Sequence, residues 1–242
     1  MAEPVNKQHL LAEDAPLHDM IPSLCDMFYY RSSNFIAMAV FSAGDKKMLS
    51  YKIALPVENI QAVEPWFNEN FNTITEVATD TDYEAVPADF RNPEKGDRRI
   101  TGNVSINRPD HSNKSIHYMS VLIQYHLAEK KSAQLYIFST ASHYHILLMD
   151  RETCYLANAY KCDSHYEVLY FLLNSLQISD ILPSDTTLNA DISILENTAL
   201  TDFIRPHFSQ FTPLRVQGIA PHRVIESLAE KLFACYAAAL CG

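Results

Sequence analysis

Glycine is scarce in this chain. It has five (Gly44, Gly96, Gly102, Gly218 and Gly242) in 242 residues, where an average usage of about 7% would give about 17. Loops that cradle phosphates use glycine to bring backbone N–H groups close to the anion, so the shortage disfavours that chemistry. Neither G-x-x-x-x-G-K-[ST] nor G-x-G-x-x-G occurs. Cations are also few: 19 Lys+Arg stand against 29 Asp+Glu, a formal charge of −10. A sequence-independent hold on nucleic acid needs the opposite sign, so nucleic acid is not expected as a partner. The one basic cluster, Arg91, Lys95, Arg98 and Arg99, is interrupted by Glu94 and Asp97 and reads as a solvated loop.

No C-x-x-C pair is present, and five cysteines (Cys25, Cys154, Cys162, Cys235, Cys241) cannot close a complete disulfide set. A reducing cytoplasm is the expected location. The first twenty residues carry four acids and no apolar run, unlike a signal peptide. The longest apolar run, around Phe233 to Cys241, falls well short of the about twenty residues a membrane span needs, so no membrane partner is expected. What is present is ordinary globular composition, 48% apolar and 20% charged, which excludes a disordered or collagen-like chain.

Apolar patterning divides the chain into elements. Cys25–Arg31, Asn34–Phe41 and Lys47–Leu55 read as strands, the last two flanking a turn in which Gly44 can supply a positive φ. Val57, Ile60, Val63, Phe67 and Phe71 recur at helical spacing, with Pro65 set to kink that helix. Thr73–Thr79 and Tyr83–Val86 read as strands, and the polar stretch Arg91–Ser115 as a mobile connection. Helical spacing resumes from Ile116 to Lys130, with Met119, Leu122, Ile123 and Leu127 on one side. Gln134–Thr140, Tyr144–Asp150 and Thr153–Tyr160 form a meander. A helix follows from Ser164 to Leu176, capped by Asp163 or Ser164. A strand at Thr186–Ala190, a helix at Thr198–Phe208 cut short by Pro206, a strand at Thr212–Gln217 and a helix at Pro221–Leu240 complete the chain.

From Gln134 to Gln217 the order is β-β-β-α-β-α-β, the connectivity of a ribonuclease-H-like unit with a mixed sheet. The first half repeats this order less completely. The expected organisation is a flexible segment over residues 1–22, a first ribonuclease-H-like half over 23–130 and a second over 131–242, the last including the C-terminal helix. The expected fold class is α/β, two ribonuclease-H-like halves with the first half degenerate.

At Leu156-Ala157-Asn158-Ala159-Tyr160, followed by Tyr166, Leu169, Tyr170, Phe171, Leu172 and Leu173, the chain resembles an uncharacterised domain-of-unknown-function family of Bacteroides-type bacteria with an actin-like ATPase fold. The similarity is strongest from Leu135 to Gln177, with a weaker echo at Val86-Pro87-Ala88-Asp89-Phe90. The resemblance implies a fold and no activity, and it transfers no catalytic residue.

Actin-like ATPases hold phosphates at the hairpins joining the first two strands of each half, using an Asp for the metal and glycines for the anion. Here the second-half hairpin, Phe138-Ser139-Thr140-Ala141-Ser142-His143, has neither. The first-half candidates are Arg31-Ser32-Ser33-Asn34 and Ala43-Gly44-Asp45-Lys46; only the second has the right residue types, in an order that suits an ordinary turn. A metal-dependent nuclease needs several converging carboxylates, but Gln134–Thr140 has no acid and Asp26 has no companion in sequence.

His143-x-His145, with Asp163 and His165 within reach, is a short metal-type spacing that also suits half-exposed turn histidines. His111, His117, His207 and His222 gain nothing from their spacing. Cys162 lies near His165, where an adjacent acid raises a thiol pKa and a helix start lowers it; the inert reading is the simpler one. Ser139 and Ser142 lack a G-x-S-x-G elbow. The 13 tyrosines, notably Tyr29, Tyr30, Tyr144, Tyr155, Tyr160, Tyr166 and Tyr170, fill core and, where exposed, offer an interaction face.

No catalytic residue, metal site or cofactor is therefore assigned, and the cofactor-binding residues stay unknown. The expected function is a noncatalytic protein-binding or scaffold module with an unidentified protein partner. The alternatives are a nucleotide-binding protein or enzyme using unrecognised cleft residues and, less supported, a metal-dependent hydrolase.

Overall fold

The structure is a computed structural model that describes residues 10–14, 20–32, 34–54, 68–79, 83–87, 104–107, 115–129, 131–140, 143–215 and 228–241. Its strands are β1 (Leu10–Asp14), β2 (Cys25–Arg31), β3 (Ile36–Ser42), β4 (Met48–Ala54), β5 (Thr73–Ala78), β6 (Glu84–Pro87), β7 (Val104–Asn107) and β8 (Ser115–His117), followed by β9 (Gln134–Ser139), β10 (Tyr144–Asp150), β11 (Thr153–Tyr160), β12 (Thr187–Ala190) and β13 (Gln210–Pro213). The helices are α1 (Tyr118–Glu129), α2 (His165–Ile178), α3 (Ile192–Leu195), α4 (Thr198–Ile204) and α5 (Phe233–Cys241).

Two mixed sheets carry the architecture. The first runs β1-β4-β3-β2-β5-β8 and the second β11-β10-β9-β12-β13. Apart from the extra edge strand β1, both place the strands of one half in the order third, second, first, fourth, fifth. In both, the first three strands are antiparallel and the last two join in parallel. Two chain segments without visible residue identity thus follow one wiring, that of two ribonuclease-H-like halves.

Strand alternation sorts side chains between an inner and two outer cores. In β2 and β3, Phe28, Tyr30, Ala37, Ala39 and Phe41 face inward, while Met27, Ile36, Met38 and Val40 form an outer core. In β9 and β10, Tyr136, Phe138, Leu147 and Met149 face inward. Leu135, Ile137, Ile146 and Leu148 pack under α2 and α4. The inner core also holds α1 and α5. Every residue of α1 from Tyr118 to His126 is buried, so the one-sided stripe expected from its spacing gives way to a helix enclosed all round. Small residues dominate α5, where Ala234, Ala237, Ala238 and Ala239 are buried against its neighbours. The helix packs on α1, β2 and β3 of the first half, with Tyr125 and Phe233 edge to face at 5.0 Å. The chain's last helix therefore returns to the first sheet, although its sequence follows the second.

Several local expectations shift. Gly44 does not take the left-handed conformation in the β3–β4 turn; Lys46 does, at φ 55°. Side chains hold that turn: Ser42 Oγ donates to Asp45, and Lys46 Nζ pairs with Asp26 at 3.1 Å. Within the expected mobile connection, Val104–Asn107 pairs antiparallel with β6; at its end Ser115–His117 completes the first sheet as a strand, so the helix expected from Ile116 starts at Tyr118. Within the supposed flexible start, Leu10–Asp14 pairs with β4. The strand expected at Thr212–Gln217 lies at Gln210–Pro213. Of the expected Val57–Phe71 helix, residues 57–67 lie outside the described residues, as do 221–227 of the final helix. Ser164 caps α2, its side chain accepting from Glu167 N.

Candidate functional site

Ligands of open α/β sheets bind off the carboxyl ends of the parallel strands, where backbone groups and helix starts are left exposed. Here those ends belong to β2, β8, β9 and β12, and their side chains meet between the two halves. Tyr118, the first residue of α1 after β8, donates its hydroxyl to Asp191 Oδ2 at 2.7 Å. Asp191 directly follows β12 and caps α3, Oδ1 accepting from Ser193 N at 3.0 Å. The Tyr118 ring lies 5.4 Å from Tyr30 of β2 and 4.8 Å from Phe138 of β9. All four side chains are buried, Asp191 to 1% exposure. Burial raises the Asp191 pKa despite hydrogen bonds from Ser193 and Tyr118 that favour the ionised form. The same burial, with Asp191 nearby, holds Tyr118 and Tyr30 well above the usual phenol range.

The rim is closed by a charged clasp. In the β2–β3 turn, Asn34 Nδ2 donates to Glu196 Oε2 at 2.9 Å. Glu196, at the end of α3, also pairs through Oε1 with Lys231. The Lys231 ammonium in turn lies 4.5 Å over the Phe35 ring. Partial burial works against the Glu196 carboxylate, but hydrogen bonds from Lys231 and Asn34 outweigh it and lower its pKa. On the second half, Ser139 N donates to Ser193 Oγ at 2.9 Å, and Thr140 N to His143 O at 2.9 Å across the β9–β10 turn. Ala141 and Ser142 lie outside the described residues.

Beside this floor, four rings line up. Phe138 stacks on His145 at 4.3 Å, His145 faces Tyr83 at 5.8 Å, and Tyr83 lies 4.4 Å from His117. His117 Nδ1 accepts from Met119 N at 3.1 Å. His145 Nδ1 lies 3.4 Å from the Tyr83 hydroxyl, and its buried Nε2 has no hydrogen-bond partner among the described residues. Burial, then the neighbouring His117 and His143, push the His145 pKa down to about 3.

The residues weighed from sequence separate on this framework. Ala43-Gly44-Asp45-Lys46, the phosphate-type candidate, lies at the amino end of β2, where Cys25 pairs with Ser42, away from the crevice. Asp26 is engaged there by Lys46, Asn72 and Thr73. Of Arg31-Ser32-Ser33-Asn34, Ser33 lies outside the described residues, and Asn34 borders the crevice with its side chain turned to a carboxylate. His143 and His145 do not share an exposed turn, since His145 is fully buried inside β10. His165 faces Phe203 at 6.1 Å. The Cys162 thiol pKa is raised by burial and by Glu167 and Asp163, which resolves the two opposed influences toward an unreactive thiol. Among the described residues no group of three or more His, Cys, Asp or Glu is placed to hold a metal ion. His111 and His222 lie outside the described residues.

Asp191 and Glu196 escaped the sequence reading. Each follows a short apolar segment and carries no motif; the only available signal was the capping position after the strand at Thr186–Ala190.

Comparison with solved structures decides the fold. A Bacteroides thetaiotaomicron protein of unknown function, described as having an actin-like ATPase fold, matches over 92% of this chain and all of its own, at 12% identity and a TM-score of 0.69. This chain has an actin-like ATPase fold. The PilM–PilN type IV pilus biogenesis complex contributes a second match of the same kind, covering 91% of this chain and 98% of its own at 10% identity and a TM-score of 0.53. Residues 111–211 match the family model described as "Protein of unknown function (DUF3822)". That span contains Leu156–Leu173, on which the resemblance to an uncharacterised actin-like family was read. Comparison with curated proteins finds no match. Relative to the actin-like plan, the floor of tyrosines, Phe138 and Asp191 occupies the junction between the halves, and Glu196 sits on the first-half hairpin.

Proposed function

We propose that this protein is a noncatalytic protein-binding module that retains the actin-like scaffold and fills its inter-half crevice with its own side chains. One observation carries this reading: the Glu196 carboxylate is bonded to Asn34 in the first-half hairpin. In that position it occupies the Asn34 side-chain donor and, with Lys231 paired to it, fills the place at the hairpin that a phosphate would take. The packed floor beneath it works in the same direction. A fold neighbour whose structure is a complex between two pilus-biogenesis proteins lends support by analogy. Free thiols at Cys25, Cys154, Cys162 and Cys235 favour a reducing compartment, the cytoplasm. No helix among the described residues is long and apolar enough to cross a membrane.

Isothermal calorimetry with ATP and GTP in the presence of magnesium is the direct test. No heat of binding is expected for either nucleotide. A dissociation constant in the micromolar range for either would overturn the reading and restore the nucleotide-binding alternative.

A further inference from the structure

The outer face of α2 breaks the usual pattern of a surface helix, which sets charged residues toward water. Tyr166 is 74% exposed, Tyr170 60% and Ile178 77%. Tyr166 and Tyr170 are one turn apart and therefore neighbours on the helix surface. Neither ring is loose: Tyr166 meets Phe203 of α4 edge to face at 4.8 Å, and Tyr170 meets Phe171 at 5.3 Å. Exposed aromatics already held in place lose little freedom on binding, which is the character of interface anchors.

Acids dominate the charge around them. Between Lys161 and Arg205 the chain contains no Lys or Arg but has seven acids. Asp191 and Glu196 serve the crevice, while Asp163, Glu167, Asp180 and Asp202 are exposed around α2 and α4. Among the described residues none of these four forms an ion pair. An apolar centre with an acidic rim complements a cationic partner with an apolar stripe. A second copy would set acid against acid, and an anionic lipid surface would be repelled in the same way.

We propose that the solvent face of α2, centred on Tyr166 and Tyr170, docks a lysine- or arginine-rich amphipathic helical segment of another protein. This rests on the protein-binding reading above and names the partner's chemistry. The partner's apolar residues cover the two tyrosines and Ile178, and its cations meet the rim acids.

The probe is a fluorescent synthetic amphipathic helix of leucine and lysine, about five turns long, titrated with the intact protein and followed by anisotropy. Binding in the micromolar range is expected. It should weaken at least about tenfold in the Tyr166→Ser/Tyr170→Ser double variant, a loss of about 1.4 kcal/mol. It should also weaken in Asp180→Lys/Asp202→Lys, and when added salt shortens the screening length from about 10 Å to about 3 Å. All four positions are exposed, and circular dichroism checks that the variants keep their fold. The proposal is overturned by absence of binding, by equal affinity for a scrambled peptide of the same composition, or by unchanged affinity in the variants. A dimer seen by sedimentation and lost in the tyrosine variant would also overturn it, by seating a second copy on this face. A silent nucleotide titration together with a silent peptide titration would discard this surface and leave the noncatalytic reading standing. Nucleotide heat would remove that reading whatever the peptide does.

Discussion

Replacing Asp191 with Ala is expected to destabilise the protein by about 3 kcal/mol, read as a lower urea midpoint. Loss of the α3 cap removes about 1 kcal/mol. Leaving the Tyr118 hydroxyl buried without its acceptor adds about 1–3 kcal/mol, because a buried donor that loses its partner keeps the whole cost of its desolvation. Asp191→Asn should recover the cap, since its amide oxygen can accept from Ser193 N in place of Oδ1, while its amide nitrogen, standing where Oδ2 accepts from Tyr118, can only donate to that hydroxyl oxygen. A loss below about 0.5 kcal/mol in the Ala variant, the range of ordinary surface changes, would mean that the crevice floor is not held by this residue. The Asn variant carries a second signature. Folding raises the Asp191 pKa, so its contribution is fully present below the unfolded carboxylate value and is lost as pH rises through the folded one. Asp191→Asn should therefore flatten the decline of stability above the ordinary carboxylate range.

Acid is expected to weaken the parent protein through His145, with the opposite sign. Its pKa is pushed down to about 3 by burial and by His117 and His143, against about 6.5 in the unfolded chain. Between those values the unfolded state binds a proton that the native state refuses. Stability is thus fully present above about pH 6.5 and falls by about 1.4 kcal/mol per pH unit as the pH drops toward 3. His145→Phe keeps a ring stacked on Phe138 and facing Tyr83 while removing the orphan Nε2 and the titration. The variant should match or exceed the parent in stability at pH 7 and lose about 2 kcal/mol less between pH 7 and pH 5. Urea midpoints at the two pH values decide it. Equal losses in parent and variant would show that this imidazole already titrates normally.

These two residues also mark where sequence reading stops. Both lie in strands or caps whose local pattern is ordinary. Asp191 carries no motif; it caps α3, and its second bond reaches Tyr118, 73 positions away. His145 sits in the run Tyr144–Asp150, whose alternation assigns it to a strand face without saying what covers that face. The covering comes from Tyr83 and His117 of the other half. In the same way, nothing local to Asn34 indicates Glu196, or to Glu196 Lys231; the clasp exists because α5 folds back on the first sheet.

Order of elements is a local property, and so it was open to inspection of the chain alone. Period-two and period-3.6 apolar patterns, with Pro and short polar turns between them, are enough to write the β-β-β-α-β-α-β succession from Gln134 onward, the meander's edges and a cap at Asp163 or Ser164. The shortage of glycine and of cations is likewise readable without coordinates. Pairing between distant segments is different, because each contact depends on chain closure across tens of residues that no periodicity reports. Folding alone placed Ser115–His117 as the fifth strand of the first sheet, enclosed α1 on all sides, buried His145 and brought the Asp191 and Glu196 carboxylates to the junction of the halves.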